Sequence, residues 1–158
     1  MVPSMCVRRA NAGDINAMIV IQQQSDTAAH WSRAQYEGML PKGDSQAPER
    51  SAWVAELPGE PPTILGFLIT HRIDAEWELE NIVVSGSAQR RGVGTRLLAA
   101  FIEQVRAENG SAIFLEVRES NQPARTLYRK ASFEETGVRK AYYSAPQENA
   151  VTYRRLIS

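Results

Sequence analysis

A strand-like run that ends near Ser85 and a helix-like run that starts near Thr95 are joined by Gln89-Arg90-Arg91-Gly92-Val93-Gly94. A strand fed through glycines straight into a helix commits this part of the chain to a sheet with a helix packed on it. The first turn of such a helix carries unpaired N–H groups and a partial positive charge, which together hold phosphate. Gly92 and Gly94 allow a pyrophosphate close to the backbone, because no Cβ intervenes. The dinucleotide fingerprint Gly-x-Gly-x-x-Gly is not present, and Thr95 lacks the preceding lysine of a nucleotide P-loop. On spacing alone, the turn is either a phosphate site or a glycine-rich junction with no ligand.

Hydrophobic period and turn chemistry order the remaining chain. Residues 4–9 read as a short strand, and Asn11 and Asp14 supply a turn and an N-cap for a helix over residues 15–24. A second helix begins at Ser32, sets Tyr36, Met39 and Leu40 on one side, and stops before Pro41. Residues 41–50 form a polar loop. Residues 51–57 and 64–73 make a hairpin, and residues 77–85 a further strand. The long helix after the glycine turn carries a stripe of Leu97, Leu98, Phe101, Ile102 and Val105 and reaches a cap at Gly110. Then follow a strand over residues 112–117 and a helix capped by Asn121 that runs to Lys130. Two last strands, residues 131–138 and 151–157, are separated by a Tyr142-Tyr143 loop. The order β-α-α-β-β-β-α-β-α-β-β predicts a mixed sheet covered by helices, in the α/β or α+β class, within one domain spanning residues 1–158.

Composition narrows the function. Lys plus Arg and Asp plus Glu are 18 each, so the formal charge is zero, against an electrostatic nucleic-acid partner. No apolar run approaches a membrane span, and no apolar stretch follows Arg8 and Arg9 to make a secretory signal. The single cysteine, Cys6, excludes an internal disulfide and suits a reducing cytoplasm. His30 and His71 stand apart from each other and from Cys6, so no zinc-type spacing exists and no metal is expected.

Three segments hold candidate chemistry. Trp77, Glu78, Leu79 and Glu80 alternate, but Asn81-Ile82-Val83-Val84 abandons the period of two, as a β-bulge or two-sided burial would. A bulge would splay the strand and leave main-chain groups for an extended, amide-bearing ligand. Glu116 lies inside the apolar run Ile113-Phe114-Leu115-Glu116-Val117, opposite in facing to Ile113, Leu115 and Val117. It is either ion-paired with Arg118 or another arginine, or a general base or substrate anchor. Tyr128 shares a helix face with Asn121, Ala124, Leu127 and Ala131, as a core residue or as a proton donor whose hydroxyl emerges at the edge. Asp74, Glu76, Glu78 and Glu80 add a local negative field that would draw cationic substrates.

The Gln89–Gly94 turn resembles the acetyl-CoA signature of the GNAT superfamily of N-acetyltransferases. More narrowly, Asn81-Ile82-Val83-Val84, Leu115-Glu116-Val117-Arg118, Ser120-Asn121, Leu127-Tyr128 and Arg139-Lys140-Ala141-Tyr142-Tyr143 resemble the RimI-type enzymes, which acetylate a ribosomal protein's N-terminal alanine. Trp31-Ser32 is similar to a family Pro-Trp-Ser, with His30 at the proline. The likeness is dense from Trp77 to Tyr143 and thin before it. It departs at Ala131-Ser132-Phe133, where Leu-Gly-Phe is usual, and at Val84-Ser85-Gly86, which lacks the usual Asp-Pro.

The resemblance implies a mostly antiparallel central sheet flanked by helices and acetyl-CoA as co-substrate. The backbone of Ile82, Val83 and Val84 would hold the acetyl-pantetheine arm. Arg90, Arg91, Gly92, Val93, Gly94 and Thr95 would bind the pyrophosphate, and Asn121 would contact the cofactor. Glu116 would be the base, with Glu78 or Glu80 as alternatives, and Tyr128 the acid. The acceptor would be a protein or peptide N-terminus, such as that of a ribosomal protein. A small-molecule amine and a noncatalytic acyl-CoA-binding role are the competing readings.

Overall fold

The computed structural model describes residues 4–25, 29–40 and 49–158. Nearly all of the polar loop expected over residues 41–50 lies outside the described residues. Seven strands form one sheet: β1 (Cys6–Arg9), β2 (Arg50–Leu57), β3 (Thr63–Ile73), β4 (Glu76–Val84), β5 (Ala112–Arg118), β6 (Glu134–Ser144) and β7 (Gln147–Leu156). Their order is β1-β2-β3-β4-β5-β7-β6. Every neighbouring pair is antiparallel except β4 and β5, which run parallel. Four α-helices cover the sheet: α1 (Ile15–Gln23), α2 (Arg33–Met39), α3 (Val93–Ala107) and α4 (Gln122–Lys130). The element order is the one expected from the sequence.

Two cores sit on opposite faces of the sheet. On one, Leu97, Leu98, Phe101 and Val105 of α3 pack on Leu68, Trp77, Leu79, Ile113 and Leu115. On the other, Ile15, Met18 and Ile21 of α1 and Tyr36 and Met39 of α2 pack on Val54, Phe67, Ile69 and Val83. This explains the unbroken apolar run of β3: Leu68 serves one core, and Phe67 and Ile69 the other. Each large side chain buried in this way contributes about 1.5–3 kcal/mol of transfer free energy.

Helix starts follow the capping chemistry. Asn11 and Asp14 form a capping box around a short 3-10 turn (Ala12–Asp14) that leads into α1. Asp14 is buried and also accepts two hydrogen bonds from Arg8, at 2.8 and 2.9 Å. Ser32 and Gln35 make a second capping box at α2. At the end of α3 the left-handed residue is Asn109 (φ 58°), not Gly110. The Asn109 N–H donates to the Arg106 carbonyl and the Gly110 N–H to the Val105 carbonyl, at 3.1 and 2.8 Å, a Schellman pattern. Gly110 is glycine for another reason, since a Cβ there would stand 2.8 Å from Trp77 Nε1. The expected Tyr142-Tyr143 loop is also absent: both residues belong to β6, and the β6–β7 turn comes at residues 145–146. A register shift between Arg139 and Tyr143 conceals the strand's alternation in the sequence.

Candidate active site

The cleft originates in one extra residue. Ile69 pairs with Asn81 but Thr70 with Leu79, so Glu80 is bulged out of the β3–β4 ladder. Trp77 and Leu79 face the α3 core, and beyond the bulge Ile82 and Val84 take that face, three residues on rather than two. Val83 points to the opposite core. The broken alternation has both causes: a bulge at Glu80 and, beyond it, burial on both faces. The bulge increases the twist of β4, and its pairing with β5 covers only Glu76–Glu78 against Ala112–Phe114. Beyond Glu78 the two strands part. Main-chain groups along this edge of β4 have no strand partner among the described residues.

The gap between β4 and β5 is a cleft of about 440 Å³. Glu78, Glu80, Asn81 and Ile82 form one wall, and Glu116 of β5 with Asn121 and Tyr128 of α4 form the other. Trp31 and Tyr142 close it from above. Gln22, a buried amide on α1, fixes the roof: it donates to the Trp31 carbonyl (2.7 Å), accepts from the Trp31 N–H (3.0 Å) and bonds the Tyr36 hydroxyl. Asn81 donates to the Ala29 carbonyl at 3.3 Å. Gln22 carried no sequence motif; a polar residue on the apolar face of α1 was its only signal.

Three carboxylates share the cleft in different electrostatic settings. Glu116 accepts a charge-assisted hydrogen bond from Arg139 at 2.6 Å, so its partner is not Arg118, which instead pairs with Glu148. Glu80 is bound by Arg50 through both oxygens, at 2.7 and 3.2 Å. Glu78 makes no ion pair with an arginine among the described residues, and the imidazole of His71 stands 3.8 Å away. Burial, then the adjacent Glu80 charge, push the Glu78 carboxyl above its ordinary range against the pull of His71. Donor atoms of His71, Glu78 and Glu80 lie within 4.8 Å of one another. Residue spacing concealed this set, although counting back from the β3–β4 turn pairs His71 with Glu78. The four-carboxylate field expected from the sequence is weaker than supposed. Glu76 is bonded to Arg154 at 2.8 Å and, like Asp74, stands outside the cleft.

Tyr128 is 5% exposed and packs against Phe133 and Tyr153 at ring-centroid distances of 5.9 Å. Its hydroxyl has no hydrogen-bond partner among the described residues. It is also not one of the fully enclosed orphan polar atoms, which are Thr70 Oγ1 and Trp77 Nε1. The ring belongs to the core while the hydroxyl opens to the cleft, so both readings of this residue hold. Burial, with Tyr143 and Tyr153 adding to it, drives the phenol well above the ordinary tyrosine range. Asn121 caps α4 by accepting from the Ala124 N–H at 3.3 Å and lines the same cleft.

The Gln89–Gly94 turn leads into α3 beside β4. Gly92 is its N-cap at φ 82°, a left-handed geometry that favours glycine, and no side chain caps the helix. The first N–H that bonds back into the helix is that of Arg96, to the Gly92 carbonyl at 3.0 Å, so the preceding N–H groups remain available. Arg90 and Arg91 are exposed, and no carboxylate pairs with either among the described residues. Gly94 has a packing role as well. A Cβ there would meet Leu127 of α4 at 3.3 Å, so this glycine lets α3 and α4 approach closely.

A glycine turn at a helix start, beside a bulged strand that parts from its parallel neighbour, is the arrangement of an acetyltransferase. Residues 17–133 match the model of the acetyltransferase (GNAT) family, and the chain belongs to that family. It is 38% identical over 95 residues to the ribosomal protein bS18-alanine N-acetyltransferase of Haemophilus ducreyi, covering 58% of this chain and 66% of that one. It is 42% identical over 91 residues to the enzyme of the same name from Haemophilus influenzae, covering 56% and 62%. The aligned part thus spans less than two thirds of these curated relatives. The crystal structure of the ribosomal-protein-S18-alanine N-acetyltransferase from Escherichia coli matches with a TM-score of 0.83 at 26% identity, over 98% of this chain and 94% of that one.

Proposed function

We propose that the protein transfers the acetyl group of acetyl-CoA to a primary amine, the N-terminal α-amine of a protein or peptide, and acts as a single acetyltransferase domain. The observation that carries this reading is the parting of β4 from β5. It brings a strand edge with no strand partner among the described residues, three carboxylates and a tyrosine hydroxyl into one cleft. The fit to the donor supports it. The main chain of Ile82, Val83 and Val84 offers amide groups to the pantetheine arm. The turn of Arg90, Arg91, Gly92, Val93, Gly94 and Thr95 offers N–H groups and two guanidinium groups, unpaired among the described residues, to the pyrophosphate. Asn121 sits where it can contact the donor.

In this reading Glu116 takes a proton from the ammonium, and the neutral amine attacks the thioester carbonyl. Tyr128 protonates the departing thiolate. An α-amine with pKa about 8 needs little help to lose its proton, whereas a lysine amine near 10.4 needs more. Arg139 holds Glu116 at the mouth of the cleft, where it is 56% exposed. Water screens the exposed guanidinium, so an incoming ammonium can take its place. Acetyl-CoA and newly made protein N-termini meet in the cytoplasm, which is the compartment this reading implies. None of the described helices is long and apolar enough to cross a membrane.

The relatives' named substrate supports an acceptor that begins with alanine, a ribosomal protein among the choices. The test is thiol release from acetyl-CoA with a panel of N-terminal peptides and small amines. Turnover of peptides with a free α-amine, lost when that amine is blocked, is the expected result. Selective turnover of small amines would move the assignment to a small-molecule acetyltransferase, and acetyl-CoA binding with no turnover of any amine to a noncatalytic role.

A further inference from the structure

Acetyl transfer to an ammonium substrate releases a proton. On the way from R–NH3+ to the amide, nitrogen loses two protons as the C–N bond forms and the C–S bond breaks. The C–S electron pair leaves on sulfur. One proton ends on that sulfur, and the other must reach bulk water. With donor and acceptor both seated in a cleft of about 440 Å³, little solvent remains there to carry it.

A row of titratable side chains leads from this cleft to the surface. Arg50 of β2, His71 of β3 and Glu78 of β4 are successive register partners, so their side chains share one face of the sheet. Glu78 lines the cleft. His71 Nδ1 stands 3.8 Å from Glu78 Oε1, and Nε2 stands 3.8 Å from Glu49 Oε2. The row ends at the surface: the side chains of Glu78 and His71 are 29% and 19% exposed, and that of Glu49 is 84% exposed. An imidazole with a carboxylate at each nitrogen can accept a proton at one end and release one at the other. Gaps of 3.8 Å exceed a hydrogen bond, and a small ring rotation or one bridging water closes each.

The other charges facing the row are already matched. Arg50 from β2 is taken up by Glu80 from β4. Across the cleft, Glu116 from β5 is held by Arg139, whose guanidinium lies 4.4 Å from the Tyr142 ring centroid on β6. Glu78 is thus the cleft carboxylate free to exchange a proton with an imidazole. Glu78 and Glu116 line the same cleft from opposite strands, so a proton released there meets Glu78 on the β4 side.

We propose that Glu78, His71 and Glu49 form the proton exit of the cleft. Glu78 receives the surplus proton, His71 accepts it at Nδ1 and gives one up from Nε2 to Glu49, and Glu49 delivers it to water. The ring then resets by exchange with solvent. This rests on the acetyl-transfer reading and makes His71 a positioning residue, acting through Glu78 and never touching substrate. Arg50 bound across Glu80 argues against a metal ion as the purpose of the cluster, since the cation would have to displace a bidentate guanidinium.

The experiment compares wild type, His71→Asn and Glu49→Gln by thiol release at saturating acetyl-CoA and acceptor peptide. Rates are taken in H2O and D2O, with and without added imidazole at fixed pH and ionic strength. Wild-type turnover establishes the reaction first; if it is missing, the acetyl-transfer reading falls and this proposal with it. Where wild type turns over, His71→Asn is expected to lose about ten-fold in kcat, with unchanged acetyl-CoA affinity, a larger solvent isotope effect and recovery on adding imidazole. An unchanged kcat, or a loss that imidazole does not repair, overturns the proposal. Glu49→Gln, at a surface position that does not bear on folding, is expected to show a smaller loss with the same rescue. A wild-type kcat in that variant also overturns the route.

Discussion

Replacing Tyr128 with phenylalanine removes one oxygen from a ring otherwise enclosed by Phe133 and Tyr153. The hydroxyl has no protein partner among the described residues, so no hydrogen bond is broken and no donor is orphaned. The stability change should therefore stay within about 0.5 kcal/mol of zero, the range for substitutions that disturb no packed or paired group. Acetyl-CoA affinity should hold as well, because the turn proposed to hold the donor's phosphates lies at the start of α3 and does not include Tyr128. Turnover should not hold. A positioned general acid contributes roughly ten- to ten-thousand-fold, about 1.4–5.5 kcal/mol of barrier. The raised phenol makes Tyr128 a weak acid in the resting cleft, seemingly unfit to protonate a thiolate whose conjugate acid has a pKa near 8.5. The same apolar surroundings destabilise the thiolate once it forms, so burial raises both partners and the gap between them changes less than either value. The assay is single-turnover thiol release, paired with calorimetric acetyl-CoA binding and a melting curve. A wild-type kcat in a folded, acetyl-CoA-binding variant would refute the role and return Tyr128 to the core.

Gly94→Val should leave the fold intact and weaken acetyl-CoA binding, because the added side chain presses on Leu127 and shifts the α3 N-terminus against α4; calorimetry on the folded variant checks this, and unchanged affinity would count against the phosphate reading. Among Glu116→Gln, Glu78→Gln and Glu80→Gln, the variant that loses the acidic limb of the kcat/KM pH profile marks the base, and Glu116 is the expected one. A full wild-type profile in Glu116→Gln would make that residue an anchor for the incoming ammonium. Asp14→Asn should cost about 1–3 kcal/mol in urea unfolding at pH 7, since two Arg8 bonds and the capping box lose their charge. Burial opposes the Asp14 charge, but Arg8 and the Asn11 N–H outweigh it and hold its pKa below the ordinary value. That stabilisation is complete above the unfolded-state pKa near 3.9 and fades as pH falls through the folded-state pKa, so wild type and variant should converge in acid.

What the sequence made legible was local. The caps at Asn11, Ser32 and Asn121, the stripe of α3 and the break of period at Asn81 all follow from neighbours a few residues apart, and all recur in the structure. What stayed hidden depends on which strands become neighbours. Arg118 stands two residues from Glu116 and shares its face of β5, but Glu148 of β7 takes it up. Arg139 reaches Glu116 only because β6 follows β7 at the sheet edge. Tyr142 and Tyr143 looked like a loop because the bulge after Arg139 erases the two-residue period that marks a strand. His71 was weighed as an isolated histidine, whereas the hairpin register sets it opposite Glu78.

The extra residue in β4 has a consequence for how such a gene can change. Substituting Glu80 alters one side chain at the rim of the cleft. Losing its codon would leave the reading frame intact and close the ladder, and every side chain after it would keep its face, because Ile82 would then follow Leu79 at the regular spacing of two. What would be lost is the added twist at the bulge, and with it the parting of β4 from β5 that opens the cleft. In a lineage of such enzymes, this position should therefore vary freely in identity and stay fixed in length.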